Sequence, residues 1–187
     1  MKVLKHVLLA AIVAVILIGC EGEISTIQNG VAESDIGMRR LMYVDEARPA
    51  WSGETSGRPV SAWAWYPAQQ AGPAVSFEIP EKQPIFVGGS VVRDVKIKAG
   101  KHPLVVMSHG TGGSAFQMMW LGRRLAAAGY IAIAVDHHGN TAAEEKFDPR
   151  GFLYFWERPK DITFLLDRVL ADPVFMDSID VERIGAA

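Results

Sequence analysis

The chain has 187 residues, of which 49% are hydrophobic and 21% charged, and its formal net charge is −2. This composition is typical of a folded globular domain that has no polyelectrolyte partner. Because nucleic-acid binding depends on a basic surface that neutralises phosphates, we expect no nucleic-acid partner.

The first residues have the pattern of a secretory signal peptide. Two lysines precede an apolar run at 7–18, which is shorter than the ~18 residues of a membrane-spanning helix. Leu17-Ile18-Gly19-Cys20 resembles a bacterial lipobox, in which the chain is cut before the cysteine and a lipid is attached to its sulfur. Cys20 is the single cysteine, so a disulfide within the chain is excluded. We therefore expect a lipid anchor at Cys20 and a location in the bacterial cell envelope, on the periplasmic face of the outer membrane. An uncleaved N-terminal anchor is the alternative.

The next segment is polar and aperiodic, as expected of a tether. We therefore divide the chain into a signal peptide (1–19), a tether (20–37) and a folded domain (38–187). Apolar patterning predicts strands early in this domain at 38–45, 60–66, 75–79, 85–87 and 91–97.

The centre of the chain alternates strands with helices. Short apolar runs predict strands at 103–108, 131–136 and 180–187, and helical spacing predicts helices at 114–128 and from Pro159 onward. This order is typical of a doubly wound α/β fold with a mostly parallel sheet, to which the N-terminal strands add antiparallel pairs.

A glycine-rich turn, His109-Gly110-Thr111-Gly112-Gly113, connects the first central strand to the helix. Glycines let a backbone come close to a ligand. In acyl transfer, backbone N–H groups fixed in such a turn stabilise the negative charge that develops on the substrate's carbonyl oxygen. A strand that ends in His-Gly-x-Gly-Gly before a helix resembles the oxyanion loop of lipases and esterases, and this resemblance implies an oxyanion-stabilising role for the turn.

Three other interpretations of this turn stay open. Residues 110–115 match the dinucleotide-binding pattern G-x-G-x-x-A, and Asp136 ends the next strand as the ribose-binding acid of such domains does. Residues 106–110 could form a degenerate nucleophile turn with Ser108 as nucleophile, although the leading glycine of that turn is missing. Finally, the glycines could serve only to pack the helix on the sheet.

A broader resemblance extends over most of the domain. The stretch 103–141, then Trp156-Glu157-Arg158-Pro159 with Asp161, then 180–187 resemble the bacterial dienelactone hydrolase and platelet-activating factor acetylhydrolase-like branch of the α/β-hydrolases. Residues 38–41 and 64–67 resemble the opening strands of that branch.

The resemblance implies a serine esterase that acts on small carboxylic esters or lactones and needs no metal or organic cofactor. It assigns an oxyanion-hole N–H to Thr111, in a loop shaped by His109, Gly110 and Gly112. In this family a Gly-x-Ser-x-Gly turn follows the strand at 180–187, and the sequence does not contain one. We therefore expect an incomplete α/β-hydrolase fold, truncated before the nucleophile and without triad-dependent activity by itself. A non-catalytic, lipid-anchored binding protein is a further alternative.

Side chains beyond the strand ends are candidates for contacting the substrate. His137 and His138 follow the strand at 131–136, so we expect them to line the mouth of the site. Metal binding is disfavoured because adjacent side chains on a loop rarely converge on one ion. Trp156 ends an aromatic run that fits an acyl pocket or hydrophobic packing beside the second helix. Asp161 lies in the first turn of that helix, where a carboxylate complements the helix dipole.

Overall fold

Seven strands form one sheet in the computed structural model, which describes residues 33–51, 57–79 and 86–187. The strands are β1 (Glu33–Asp45), β2 (Arg58–Pro73), β3 (Val75–Ile79), β4 (Phe86–Arg93), β5 (His102–Ser108), β6 (Ile131–Asp136) and β7 (Ile179–Ala186). The α-helices are α1 (Met119–Ala127), α2 (Pro149–Leu153) and α3 (Glu157–Ala171), and a 3₁₀ turn at Ala115–Met118 leads into α1.

The strand order is β3-β4-β1-β2-β6-β5-β7. Strands β6, β5 and β7 are parallel, so their carboxyl ends meet at one edge of the sheet, where ligands bind in open α/β sheets. The predicted α/β class with antiparallel N-terminal strands is confirmed. The described sheet is mixed: β1–β4, β5–β6 and β5–β7 pair parallel, whereas β1–β2, β2–β6 and β3–β4 pair antiparallel.

Helices cover both faces of the sheet, and the alternation along β2 divides its side chains between them. Val60, Ala62, Ala64 and Tyr66 join the core under α3, whereas Trp65 joins the core under α1. Successive side chains of a strand point to opposite faces, which explains this division.

Helix α1 buries a face centred on Met119, Gly122 and Ala126. The helical spacing of Met118, Leu121 and Leu125 in the sequence predicts a buried face one position earlier, but these side chains are only partly buried. The shift follows from the Trp65 ring, because a Cβ on Gly122 would lie 2.3 Å from it. The helix therefore turns its smallest residue toward the fully buried Trp65 ring of β2.

Several element boundaries differ from the sequence prediction. Strand β1 begins at Glu33, inside the predicted tether, because 33–37 pair with β2. One strand, β4, replaces the two predicted at 85–87 and 91–97, and α3 begins at Glu157 instead of Pro159. Helix α2 was not predicted, and its N-terminus is capped by the Asp148 side chain. Short-range patterns locate the centres of elements better than their ends.

The predicted signal peptide and Cys20 lie outside the described residues. Within the described ranges, none of the helices combines the length and apolarity that a bilayer crossing requires.

Candidate active site

The glycine-rich loop 109–113 follows β5 and is closed by its own hydrogen bonds. The Gly110 carbonyl oxygen accepts the Gly113 N–H at 3.0 Å and the His109 Nδ1–H at 2.7 Å. Gly112 has a φ of +69°, which favours glycine, and its N–H donates to Asn140 Oδ1 at 2.6 Å. The loop is therefore held in one conformation from within and from the neighbouring 137–141 segment.

Two amides of this loop stay open. Gly110 and Thr111 are both exposed, and among the described residues neither N–H has an acceptor. In a trans peptide the N–H points opposite to the preceding carbonyl. Because the carbonyl of Gly110 is turned into the loop, the N–H of Thr111 is turned outward. Fixed, outward N–H groups at the carboxyl end of a parallel strand are what an oxyanion site requires.

The start of the 3₁₀ turn is anchored by Asp136. This buried carboxylate accepts the Ala115 N–H at 2.7 Å and hydroxyl protons from Thr141 at 2.9 Å and Ser61 at 3.1 Å. A dinucleotide site would need the Asp136 carboxylate free to bind ribose hydroxyls. The geometry therefore disfavours the dinucleotide interpretation.

A polar relay connects the end of β5 to helix α3. Ser108 Oγ lies 2.9 Å from His137 Nε2, and His137 Nδ1 lies 3.1 Å from Asp161 Oδ2. Burial lowers the pKa of His137, although its hydrogen bond with Asp161 opposes this effect. The imidazole is therefore neutral near pH 7, with Nδ1–H donating to Asp161 and Nε2 accepting from Ser108.

Asp161 is held by two arginines as well as by His137. Arg58 donates to both carboxylate oxygens, at 2.7 and 2.9 Å, and Arg48 forms an ion pair at 2.8 Å. Burial alone would raise the pKa of Asp161, but the hydrogen bonds from His137 and Arg58 and the charges of both arginines lower it to about 2. Complementing the helix dipole is therefore only a small part of what this carboxylate does.

Ser108, His137 and Asp161 stand in the order that activates the nucleophile of serine hydrolases. Two features argue against Ser108 as a nucleophile. The arginines neutralise the carboxylate that would support the His137 imidazolium, and Ser108 Oγ also accepts a hydrogen bond from Arg158 at 2.9 Å. We interpret this relay as a connection that holds the ends of β5, β6 and α3 together.

The two histidines after β6, predicted to line the mouth of the site, are both buried among the described residues. His137 is fully buried in the relay. His138 is 5% exposed, accepts the Trp51 N–H at Nε2 and lies 2.6 Å from Glu144 through Nδ1. Its ring stacks on Trp51 with centroids 5.4 Å apart. Both ring nitrogens of each histidine therefore have hydrogen-bond partners within the protein.

The aromatic run 152–156 is exposed instead of packed beside α3. Trp156, a predicted substrate contact, is 50% exposed and lies against the Tyr154 and Phe155 rings. Nearer to the loop, Phe147 is 53% exposed, and its ring lies 3.9 Å from the position that a Cβ on Gly112 would take. An apolar surface therefore borders the open amides.

Sequence reasoning missed the arginines of this site. One local signal was available: Asp161 shares the buried stripe of α3 with Leu165 and Val169, at i, i+4 and i+8. A charged residue in an apolar stripe indicates a buried partner. The identity of that partner, Arg58, has no local signal because it lies 103 residues earlier.

The chain is similar to one family model and to several solved structures. The model of the family "Platelet-activating factor acetylhydrolase, isoform II" matches residues 88–150. A solved structure of a ferulic acid esterase from Streptomyces cinnamoneus is similar, with 26% identity and a TM-score of 0.62 over 81% of this chain and 51% of that chain. A hypothetical protein from Pseudomonas aeruginosa matches with 13% identity and a TM-score of 0.45, over 84% of this chain and 36% of that chain. No curated protein matches the chain.

The chain has an α/β-hydrolase fold. Within this class the chain has the fold of the dienelactone hydrolase and platelet-activating factor acetylhydrolase-like type, as the sequence motifs predicted. The chain spans about half the length of the ferulic acid esterase that it matches.

Proposed function

We propose that the protein is a carboxylic ester hydrolase of the serine α/β-hydrolase type, acting on small esters or lactones. The observation that carries this proposal is the pair of open amides at Gly110 and Thr111, placed at the carboxyl edge of the parallel strands. The esterase-type family match and the ferulic acid esterase fold support the same chemistry.

The attacking serine is proposed to follow β7. Strand β7 runs beside β5, and the Ala187 carbonyl accepts the Ser108 N–H at 2.9 Å. Neighbouring strands lie about 4.8 Å apart. A Gly-x-Ser-x-Gly turn directly after Ala187 would therefore place its serine next to the loop 109–113. We accordingly propose that the 187 residues alone have no triad-dependent activity.

The acyl group is proposed to be apolar. The open amides would hold the substrate's carbonyl oxygen, and the exposed Phe147 ring borders the same loop. A flat aromatic acyl group, like that named for the ferulic acid esterase, would contact this ring favourably.

The lipobox-like sequence at 17–20 supports a location of this activity in the bacterial envelope. We propose that a lipid on Cys20 anchors the enzyme to the bacterial envelope, with the tether placing the domain in the periplasm. In the native host, radiolabelled palmitate should be incorporated into the wild-type protein and not into the C20S variant. Equal incorporation into both would disprove the anchor.

A fluorophosphonate probe tests the enzymatic proposal. The coding DNA after Ala187 should encode Gly-x-Ser-x-Gly in frame, and the protein extended through it should be labelled on that serine and hydrolyse p-nitrophenyl acetate. The 187-residue chain should not be labelled. Labelling of Ser108, abolished by S108A, would instead identify the relay as the catalytic centre. An extended protein that neither reacts nor hydrolyses esters would favour a non-catalytic binding role.

A further inference from the structure

Arg158 is an arginine of the site that donates hydrogen bonds to neutral oxygens. It is the second residue of α3 and is half-buried beside the end of β5. Arg48 and Arg58 form ion pairs with Asp161, but among the described residues no carboxylate lies within salt-bridge distance of Arg158. Burial lowers the pKa of Arg158, with Asp161 opposing, yet an arginine stays protonated in proteins.

The hydrogen bonds of Arg158 go to neutral oxygens at the start of the loop. Its Nη2 donates to Ser108 Oγ at 2.9 Å and to the His109 carbonyl oxygen. The same Ser108 hydroxyl contacts His137, so Arg158 connects the loop directly to the buried relay.

The hydrogen bond from Arg158 to the His109 carbonyl oxygen fixes the direction of the next amide, the N–H of Gly110. In the trans peptide between His109 and Gly110, the C=O and the N–H point in opposite directions. With the carbonyl held toward Arg158, the Gly110 N–H is turned away from α3, to the exposed side of the loop. A peptide flip would break the Arg158 hydrogen bond and remove this donor.

The position of Arg158 is itself fixed. Three residues further along the same helix, Asp161 is tied to Arg58 on β2 and to His137 after β6. The first turn of α3 therefore carries two groups on one side, a carboxylate for the relay and a guanidinium for the loop.

The positive charge of Arg158 also acts electrostatically on the neighbouring His109 and His137. Burial is the main cause of the lowered pKa of His109 and of His137, and the Arg158 charge lowers both further. A positive charge that disfavours imidazolium favours an oxyanion at the same place.

We propose that Arg158 is a positioning residue for ester hydrolysis: it orients the Gly110 N–H as the second donor from this loop, beside Thr111, and adds positive potential to the oxyanion site. This inference rests on the proposed esterase function.

The test uses the extended, active protein and compares R158Q and R158K with R168Q. Arg168 is an exposed arginine of the same helix, so R168Q removes the same charge away from the loop. We expect R158Q to lower kcat for p-nitrophenyl acetate about 10- to 100-fold, somewhat less than the loss of a direct oxyanion donor, with KM changed less than about threefold. R158K should recover part of kcat because it keeps the charge and one donor. R168Q should equal wild type.

End-point titration with a fluorophosphonate separates positioning from folding. If Arg158 positions the amide, kcat per titrated serine falls in R158Q. If R158Q lowers only the titratable fraction and leaves kcat per site unchanged, the inference is overturned while the esterase function stands. Absence of hydrolysis and labelling in the wild-type extended protein would overturn the proposed function and the inference together.

Discussion

Two regions at the same edge of the sheet use similar groups in opposite ways. Around Asp161 the charges are buried and paired, with Arg48 and Arg58 neutralising the carboxylate. In the loop 109–113 the amides of Gly110 and Thr111 are open, and within the part of the chain that the structure describes no carboxylate lies within salt-bridge distance of the nearby Arg158. Paired polar groups hold the fold together, whereas groups without internal partners are available to a ligand.

The strongest test of the paired region is the substitution Asp161→Asn. It removes the negative charge that Arg58 and Arg48 share, leaving two cations close together in a buried place. We expect a loss of about 3–5 kcal/mol in the free energy of unfolding, measured by urea denaturation. The control is Asp167→Asn, an exposed residue of the same helix. A loss below about 1 kcal/mol would show that the cluster does not stabilise the fold.

The matching test of the open region is Thr111→Pro in the extended protein. Proline removes the outward N–H, and the loss of one oxyanion donor typically lowers kcat about 10²- to 10³-fold. Thr111→Ala keeps the amide and should retain wild-type activity. Ester hydrolysis by both variants, with thermal unfolding to verify folding, measures the difference. Equal activity of the two variants would mean that this amide does not face the substrate.

Ser108→Ala cuts the connection between the two regions. The His137 Nε2 and the Arg158 guanidinium each lose a hydrogen-bond partner, which should lower the free energy of unfolding by about 1–3 kcal/mol. Because Ser108 is not the proposed nucleophile, end-point fluorophosphonate labelling of the extended protein should persist. Ser76→Ala, in an exposed hydrogen bond, is the stability control. Complete loss of labelling in S108A would assign the chemistry to the relay.

Acid should weaken the region around the relay gradually. The pKa values of His109 and His137 are lowered in the folded state, mainly by burial, so below about pH 6.5 the unfolded chain binds more protons. Their contribution to stability is therefore complete above pH 6.5 and falls as the pH drops below it. Asp161, with its pKa lowered from 3.8 to about 2, adds a second loss across that interval.

Urea denaturation of the 187-residue chain at pH 7.5, 5.5, 3.8 and 2 would measure this decline. The D161N variant should lack the second loss, since it has no carboxyl group to titrate at this position. An unfolding free energy that stays constant from pH 7.5 to 5.5 would show that the two imidazoles are not held neutral by the fold.

Much of the fold was predictable where a pattern is complete within a few residues. Strand β6 occupies 131–136 as predicted, because a short uninterrupted apolar run bounded by glycine and polar residues is typical of a buried strand. Gly129 ends the preceding helical segment with a φ of +91°, which is also a local requirement. The sequence analysis did not predict the start of β1, which depends on pairing with β2. It also did not predict the short helix α2, which depends on the N-terminal cap formed by Asp148.

The candidate site divides in the same way. The amino-acid sequence by itself determined the order of strands and helices and the position of the glycine-rich loop after β5. Each of these features depends on residues that are neighbours within one turn or one strand. Only the tertiary structure decided that His137 is buried, that Arg58 meets Asp161 across 103 residues, and that Arg158 reaches the His109 carbonyl. These contacts depend on which strands lie side by side and where α3 crosses them, and no local pattern records that arrangement.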